Sequence, residues 1–365
     1  QVYYSSDWGE KLPSFPNHLI LKSNVVFVHE DMTMTCDSAV FNTEENLINA
    51  YNNIHIYQDT LHLYGDEFIY DADTKIAEIF GDTVTLYDNN TTLQTDYMVM
   101  DREAQTVRYT THAYIWDEEN TLESELGTYL IDTKIFEFTK EVKLNSPQVN
   151  ILSDSLFYES KTDIARFYNK TDITTKDSVK IYTSQGFYNT KTDDATLFKD
   201  NLIISDSKHL IADSIYYNTK TENAKAFRNI FIKDSVNQII AYSHYLEKDK
   251  KGEIPYIYLT TDLLLQQIEE QDTLHLHCDS VWIYFDTTMK AENMYAYNHV
   301  KFFRQAMQGV SDLLHYDVKD SLVYFLGLPV LWSEENQFTA DTISLKTSKT
   351  TIKEMYMYPN VIIEI

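Results

Sequence analysis

A register of about 29 residues runs through almost all of this 365-residue chain. Stacking "CDSAVF" (36–41), "GDEFIY" (65–70), "SDSLFY" (153–158) and "ADSIYY" (212–217) on their second residue extends to anchors at Asp37, Asp66, Asp96, Glu125, Asp154, Ser184, Asp213, Tyr242, Asp279, Asp312 and Asp341. The intervals are 29, 30, 29, 29, 30, 29, 29, 37, 33 and 29 residues. A unit this short cannot bury a face alone, so a period held this tightly implies a solenoid-like array in which about eleven units stack on their neighbours.

The columns beside the anchor say what each unit is made of. The residue before it is always small, from Cys36 and Gly65 to Ser311 and Ala340, as a tight bend or close strand approach requires. Two and four residues after it stand mostly apolar side chains, among them Phe68 and Tyr70, Met98 and Met100, Leu156 and Tyr158, and Ile215 and Tyr217. Positions two apart share a strand face, so these columns line one side of a sheet. Breaks such as "YDADTK" (70–75) and "YNTKTE" (217–222) carry the Asn, Asp and Thr of hairpin turns. With 28 Tyr, 18 Phe and few helix-forming windows, the chain reads as all-β, with about three short strands per unit. The long interval after Tyr242, holding "EKDKKGEIPYIY" and "DLLLQQIEEQD", reads as an irregular insertion at 247–275. Residues 1–20, with Pro13 and Pro16, read as a lead-in or cap, leaving 21–365 as one continuous β-repeat array.

Charge and composition exclude several functions. A formal charge of −26 without a Lys/Arg cluster argues against nucleic acid as a partner. Two cysteines, Cys36 and Cys278, are too few for a disulfide framework, and their places in one column eight units apart put them beyond bonding reach. No window approaches the roughly 18 apolar residues of a membrane-spanning helix, so the chain reads as soluble. Its opening "QVYYSSDWGE" is compatible with an exported chain after signal removal or with a trimmed one.

A recurring Asp suggests carboxylate catalysis, but an active site needs one distinguished pair, whereas this acid returns in nearly every unit. It reads as a turn cap accepting backbone N–H bonds. "LHLHC" (274–278) puts His275 and His277 on one strand face without a third ligand, an ordinary strand pair rather than a metal site. No nucleophile elbow, P-loop or dinucleotide fingerprint is present, and no cofactor or metal is expected. The one-sided apolar columns alone read most simply as a filled core.

The joint order of these columns, in "CDSAVFNTEENLINAYNNIHIY", "GDEFIYDADTKIAEIFGDTVTLY", "ADSIYYNTKTENAKAFRNIFI" and "CDSVWIYFDTTMKAENMYAYNHVKFF", resembles the OstA/LptA-like family of lipopolysaccharide-transport proteins over positions 20 to 365. That resemblance implies a folded-over antiparallel sheet, a β-taco or β-jellyroll, whose apolar interior shields lipid acyl chains. It implies a non-enzymatic carrier in the periplasm, with outer-membrane association as a variant, and lipopolysaccharide or lipid A as ligand. Further partners would be other lipopolysaccharide-transport proteins joined by end-to-end strand pairing, or a second copy head to tail, through 355–365 at one end and the units near 20–40 at the other. The groove candidates are Phe68, Tyr70, Met98, Met100, Leu156, Tyr158, Tyr188, Ile215, Tyr217, Val281, Ile283, Leu314 and Tyr316. A β-solenoid enzyme acting on polysaccharide, and an adhesin-like repeat with a filled core, are the competing readings. Compared with the short bridge proteins of the family this chain has about twice the repeats, and no barrel sequence follows them as in the large translocon.

Overall fold

The computed structural model describes residues 1–269, 272–348 and 351–365. Among these there are strands, turns and bends and no helix, and the strand pairs are antiparallel. The chain divides into an N-terminal unit, residues 1–173 with 189–191, and a C-terminal unit, residues 174–188 with 192–365.

Each 29-residue repeat is two long strands rather than three short ones. His18–His29, Met32–Asn42, Leu47–Gln58 and Leu61–Asp71 show the pattern, running out and back with hairpins at both ends. What divides the long strand is no turn but a crease halfway along it. Lys22 pairs with Ser38 and Val25 with Cys36, so Ser23 and Asn24 together oppose Asp37 alone. Both opposing residues take positive φ, 63° and 50°, as do Asn52 and Asn53 at 62° and 51°. Two left-handed residues in succession bulge and bend the strand, and Asn and Asp reach that conformation at the least cost. The same double step recurs at Lys140–Glu141, Arg228–Asn229, Thr261–Asp262 and Asn298–His299.

The crease folds each pair of half-strands so that their inner faces meet. In the N-terminal unit Phe27 and Phe41, on opposite sides of the crease, approach edge to face at 6.1 Å. In the C-terminal unit Phe302 and Phe325 meet across the crease at 5.0 Å with their rings tilted by 33°. The small column lies inside the bend, where a larger side chain has no room: a Cβ on Gly65 would sit 2.6 Å from Ile79 Cγ2. Its hydroxyls and thiols donate to the carbonyl two residues on, as Ser153 does to Ser155 at 2.9 Å and Ser311 to Leu313 at 3.2 Å. Cys36 and Cys278 are both free and buried, and burial pushes their thiols up to about 11 and about 12.

Three sequence expectations change. Ser243 occupies the inside of the eighth crease and donates to Tyr245, and Arg228–Asn229 oppose His244, so that unit's anchor is His244 rather than Tyr242. The shifted alternation around Tyr242 disguised this. The stretch 247–275 is no irregular insertion: Tyr256–Ile268 is a strand paired along Ile239–Asp249 and along Thr273–Phe285, because its alternating Tyr, Ile and Leu residues extend the ladder. Residues 270–271 of that stretch lie outside those described. At the N-terminal end, the edge near 20–40 is covered, since Val2–Ser5 and Trp8–Lys11 both pair along His18–His29.

Candidate functional site

Folding the creased strands produces three linear features: an outer crease, an inner apolar face, and a mouth where the two rows of hairpin turns approach. The first row holds turns such as Glu30–Asp31, Asp59–Thr60 and Asn89–Asn90. The second holds 72–75, 102–105 and 131–134.

The anchor acids sit on the outer crease, one in nearly every repeat, with Ser184 and His244 as the exceptions. Asn53 Nδ2 donates to Asp37 at 2.7 Å, Asn229 Nδ2 to Asp213 at 2.9 Å, and Asn360 Nδ2 to Asp341 at 2.9 Å. Only at Asp66 does such a carboxylate accept a backbone N–H among these, from Asp82 at 3.2 Å. The turn-capping role expected of this column belongs instead to the residue five positions on. Asp71 accepts the N–H groups of Asp73 and Thr74, Asp101 those of Glu103 and Ala104, and Asn218 those of Lys220 and Thr221. Both columns are Asp- and Asn-rich, so composition does not separate crease from turn. His275 and His277 lie on the outer face, His275 within 3.1 Å of Gln266 Nε2, beside a cleft of about 270 Å³ that Phe303 and Trp332 also line. Among the described residues no three His, Cys, Asp or Glu side chains gather to hold a metal.

The inner face carries the groove candidates. Phe68, Tyr70, Met98, Met100, Leu156 and Tyr158 are all buried in the N-terminal unit, and Tyr188, Ile215, Tyr217, Val281 and Leu314 are buried in the C-terminal one. Ile283 and Tyr316 are only half-buried, and they are not isolated. Leu210, Ile232, Ile239, Ile257, Leu274 and Met294 occupy inward positions near the mouth of the C-terminal unit and are half-buried as well. The matching positions of the N-terminal unit, such as Phe27, Ile48, Leu61 and Met100, are closed off from solvent.

Charged contacts across the mouth account for the closure. Arg102, from the second row, has a side chain only 2% exposed and donates to Asp31 of the first row at 2.5 Å. It also donates to Tyr70 Oη at 3.2 Å, whose hydroxyl lies 2.8 Å from His29 Nδ1, while Lys75 pairs with Glu30 at 2.9 Å. Two repeats on, Lys134 reaches Asp88 at 2.5 Å, and Tyr129 Oη donates to the same carboxylate. Burial pushes the Asp88 carboxyl up, but bonds from Lys134, Tyr129 and Thr60 outweigh it and hold the group below the usual carboxylate range. Tyr158 Oη adds a bond to Asp117 at 3.3 Å. The partners that meet across the mouth, from first row to second, stand 41 to 71 residues apart, beyond the reach of any single repeat motif.

In the C-terminal unit the ion pairs among the described residues do not cross the mouth. Glu222 takes Lys248 at 3.5 Å and Lys250 closer still, all three from the second row. Arg304 takes Glu269 at 2.5 Å and Asp272 at 2.8 Å, all from the first.

A sheet that creases once per strand, carries an apolar inner face and repeats every 29 residues is where comparison with known proteins becomes informative. Residues 11–154 match the family model described as OstA-like protein. No curated protein matches. A solved structure similar in part is that of LptH, the LptA homologous periplasmic component of the conserved lipopolysaccharide transport device from Pseudomonas aeruginosa. It is 12% identical, with 43% of this chain and 94% of that one covered and a TM-score of 0.22.

Proposed function

We propose that this chain is a lipopolysaccharide-transport protein that shields acyl chains of lipopolysaccharide or lipid A on the inner face of its creased sheet, working in the periplasm as a carrier and not as an enzyme. The observation that supports this best is the row of half-exposed apolar side chains along the C-terminal mouth, from Leu210 and Ile232 to Ile283 and Tyr316. A filled core would hide them, as the N-terminal unit hides theirs. The OstA-like stretch adds to the reading. In the same proposal the array is continuous from residue 21, and partners of the transport chain add strands at its ends. Thr351–Tyr358 and Ile362–Glu364 pair on one side only among the described residues, and Tyr356, Tyr358 and Ile362 are exposed there.

Photo-crosslinkers at Ile283, Tyr316, Met100, Leu156 and Ile215, with Lys220 in a turn as control, test it. Capture of lipid A is expected first at Ile283 and Tyr316. Capture at Lys220 equal to that at the inward positions would sink the groove assignment.

A further inference from the structure

With His244 as the eighth anchor, the inward column four residues on reads Phe41, Tyr70, Met100, Tyr129, Tyr158, Tyr188, Tyr217, Lys248, Ile283, Tyr316 and Leu345. Lys248 is the one charged side chain in it. It lies between Ala224 and Ile257 in the ladder, on the inner face at the mouth. Its nearest acid, Glu222, is shared with Lys250, so two cations hold one carboxylate. The side chains of Lys248 and Lys250 are 26% and 31% exposed, within reach of a ligand and yet partly stripped of water.

What faces them across the mouth reverses the arrangement of the N-terminal unit. There Arg102 and Lys75 meet Asp31 and Glu30, and Lys134 meets Asp88, cation against acid. Here the first row presents another cation, Lys208. Burial, then Lys250 and Lys208, pull Lys248 below its ordinary range, against the opposite pull of Glu222. Asp234, opposite Lys208 in the ladder, is already engaged by the N–H groups of Val236 and Asn237 and by the Asn237 amide. In a chain of formal charge −26, three lysines against the two carboxylates Glu222 and Asp234 leave a local excess of positive charge at an open mouth.

We propose that Lys208, Lys248 and Lys250 bind the phosphate groups of a phosphorylated lipid whose acyl chains lie on the neighbouring inner face at Ile232, Ile239 and Ile257. Phosphate supplies several acceptor oxygens for ammonium donors on both sides of the mouth, and bridging them relieves the repulsion between the rows. Glu222 holds Lys248 and Lys250 in place. The choice of a lipid over a free anion rests on the function proposed above; the anion site itself does not.

The test is calorimetric binding of diphosphorylated lipid A, dephosphorylated lipid A and inorganic pyrophosphate to the full chain and to a triple variant, K208Q/K248M/K250Q, its fold verified by circular dichroism. The expected result is a loss of tenfold or more in affinity for diphosphorylated lipid A, with the dephosphorylated lipid bound equally by both proteins. The lone Lys208→Gln, at an exposed position, should lose about threefold through the removed charge, and Glu222→Gln should gain. Pyrophosphate bound by the native chain and lost in the variant, with neither lipid bound, would keep the anion site and remove the lipid reading. Equal affinity of the native chain and the triple variant for diphosphorylated lipid A would overturn the site while leaving lipid carriage standing. A native chain that binds neither phosphorylated probe would overturn it too.

Discussion

The two units are built from one repeat and differ at the mouth. In the N-terminal unit, acids of the first row meet cations of the second, and the apolar positions behind them, such as Ile48, Leu61 and Met100, are buried. In the C-terminal unit, ion pairs run along a row, like charges face each other near Lys248, and the equivalent apolar positions are half-exposed. Crease geometry, inner-face chemistry and period are shared, so none of them decides whether the interior is open. The sign of the charges carried by the hairpin turns does.

The sharpest way to break that comparison is to remove the same kind of atom from both interiors. Phe68→Ala empties a fully buried site in the N-terminal unit and should cost about 3–5 kcal/mol. Ile283→Ala trims a half-buried side chain at the C-terminal mouth and should cost about 1 kcal/mol. Guanidinium unfolding followed by tryptophan fluorescence measures both. Comparable losses would mean that the C-terminal mouth is as closed as the other.

Next comes the clasp itself. Asp88 has a side chain only 1% exposed, so Lys134→Met strands a buried carboxylate with Tyr129 and Thr60 as its remaining partners. A loss of about 3 kcal/mol is expected. Lys250→Met leaves Glu222 its bond to Lys248, and with both lysines partly in water the loss should stay below about 1 kcal/mol. If the two variants melt alike, the clasps do not hold the N-terminal mouth shut.

Much of this was legible in the sequence, and the illegible part has a physical cause. Period, all-β class and the inward column of Phe68, Tyr70, Met98 and Met100 follow from spacing and parity, because a strand repeats its face every second residue. The crease makes two strands look like three because Asn52–Asn53 and Arg228–Asn229 have turn-like composition while sitting in mid-strand. The clasps were invisible because Asp31 and Arg102 belong to different repeats and meet only once the sheet folds over. Lys248 was hidden by the misplaced anchor at Tyr242, which put Leu246 in its column. Aligning on the small crease residue Ser243 would have exposed it.

Acid should act on the closed unit first. His29 is held below its ordinary range by burial, then by Arg102, with Lys75 and the N-terminus adding to the shift and Glu30 opposing it. A histidine whose folded value is depressed takes up its proton more readily unfolded, so its contribution is complete above about pH 6.5 and declines as pH falls toward the folded value. Asp88, also depressed, has the same sign and acts lower: its contribution is present above about pH 4 and is lost as pH falls through the folded value. Protonated His29 also loses its acceptor for the Tyr70 hydroxyl, which weakens the chain from Arg102 through Tyr70. Amide exchange, corrected for intrinsic rates, should therefore quicken between pH 7 and pH 5 in the 29–34 and 100–107 segments, and below pH 4 in the 86–91 and 129–135 segments around Asp88 and Lys134. His29→Gln should abolish the first step only. A pH-independent protection pattern would remove these groups from the account of closure.

The smallest effect is the one expected to be equal in the two units. Asp37 accepts from Asn53 at 2.7 Å in the N-terminal unit, and Asp213 from Asn229 at 2.9 Å in the C-terminal one, both on the exposed outer crease. Each Asn also holds a positive φ, 51° and 47°, which Asn tolerates and which remains when only the acid is changed. Asp37→Ala and Asp213→Ala therefore delete a solvent-exposed side-chain bond without disturbing the bend, and each should cost about 0.5–1 kcal/mol. Because the crease is built alike in both units, the two losses should agree within error in the same guanidinium titrations. A much larger loss at Asp213 would show that the units differ at the crease as well, and that an open mouth reflects a looser bend rather than the charges on its turns.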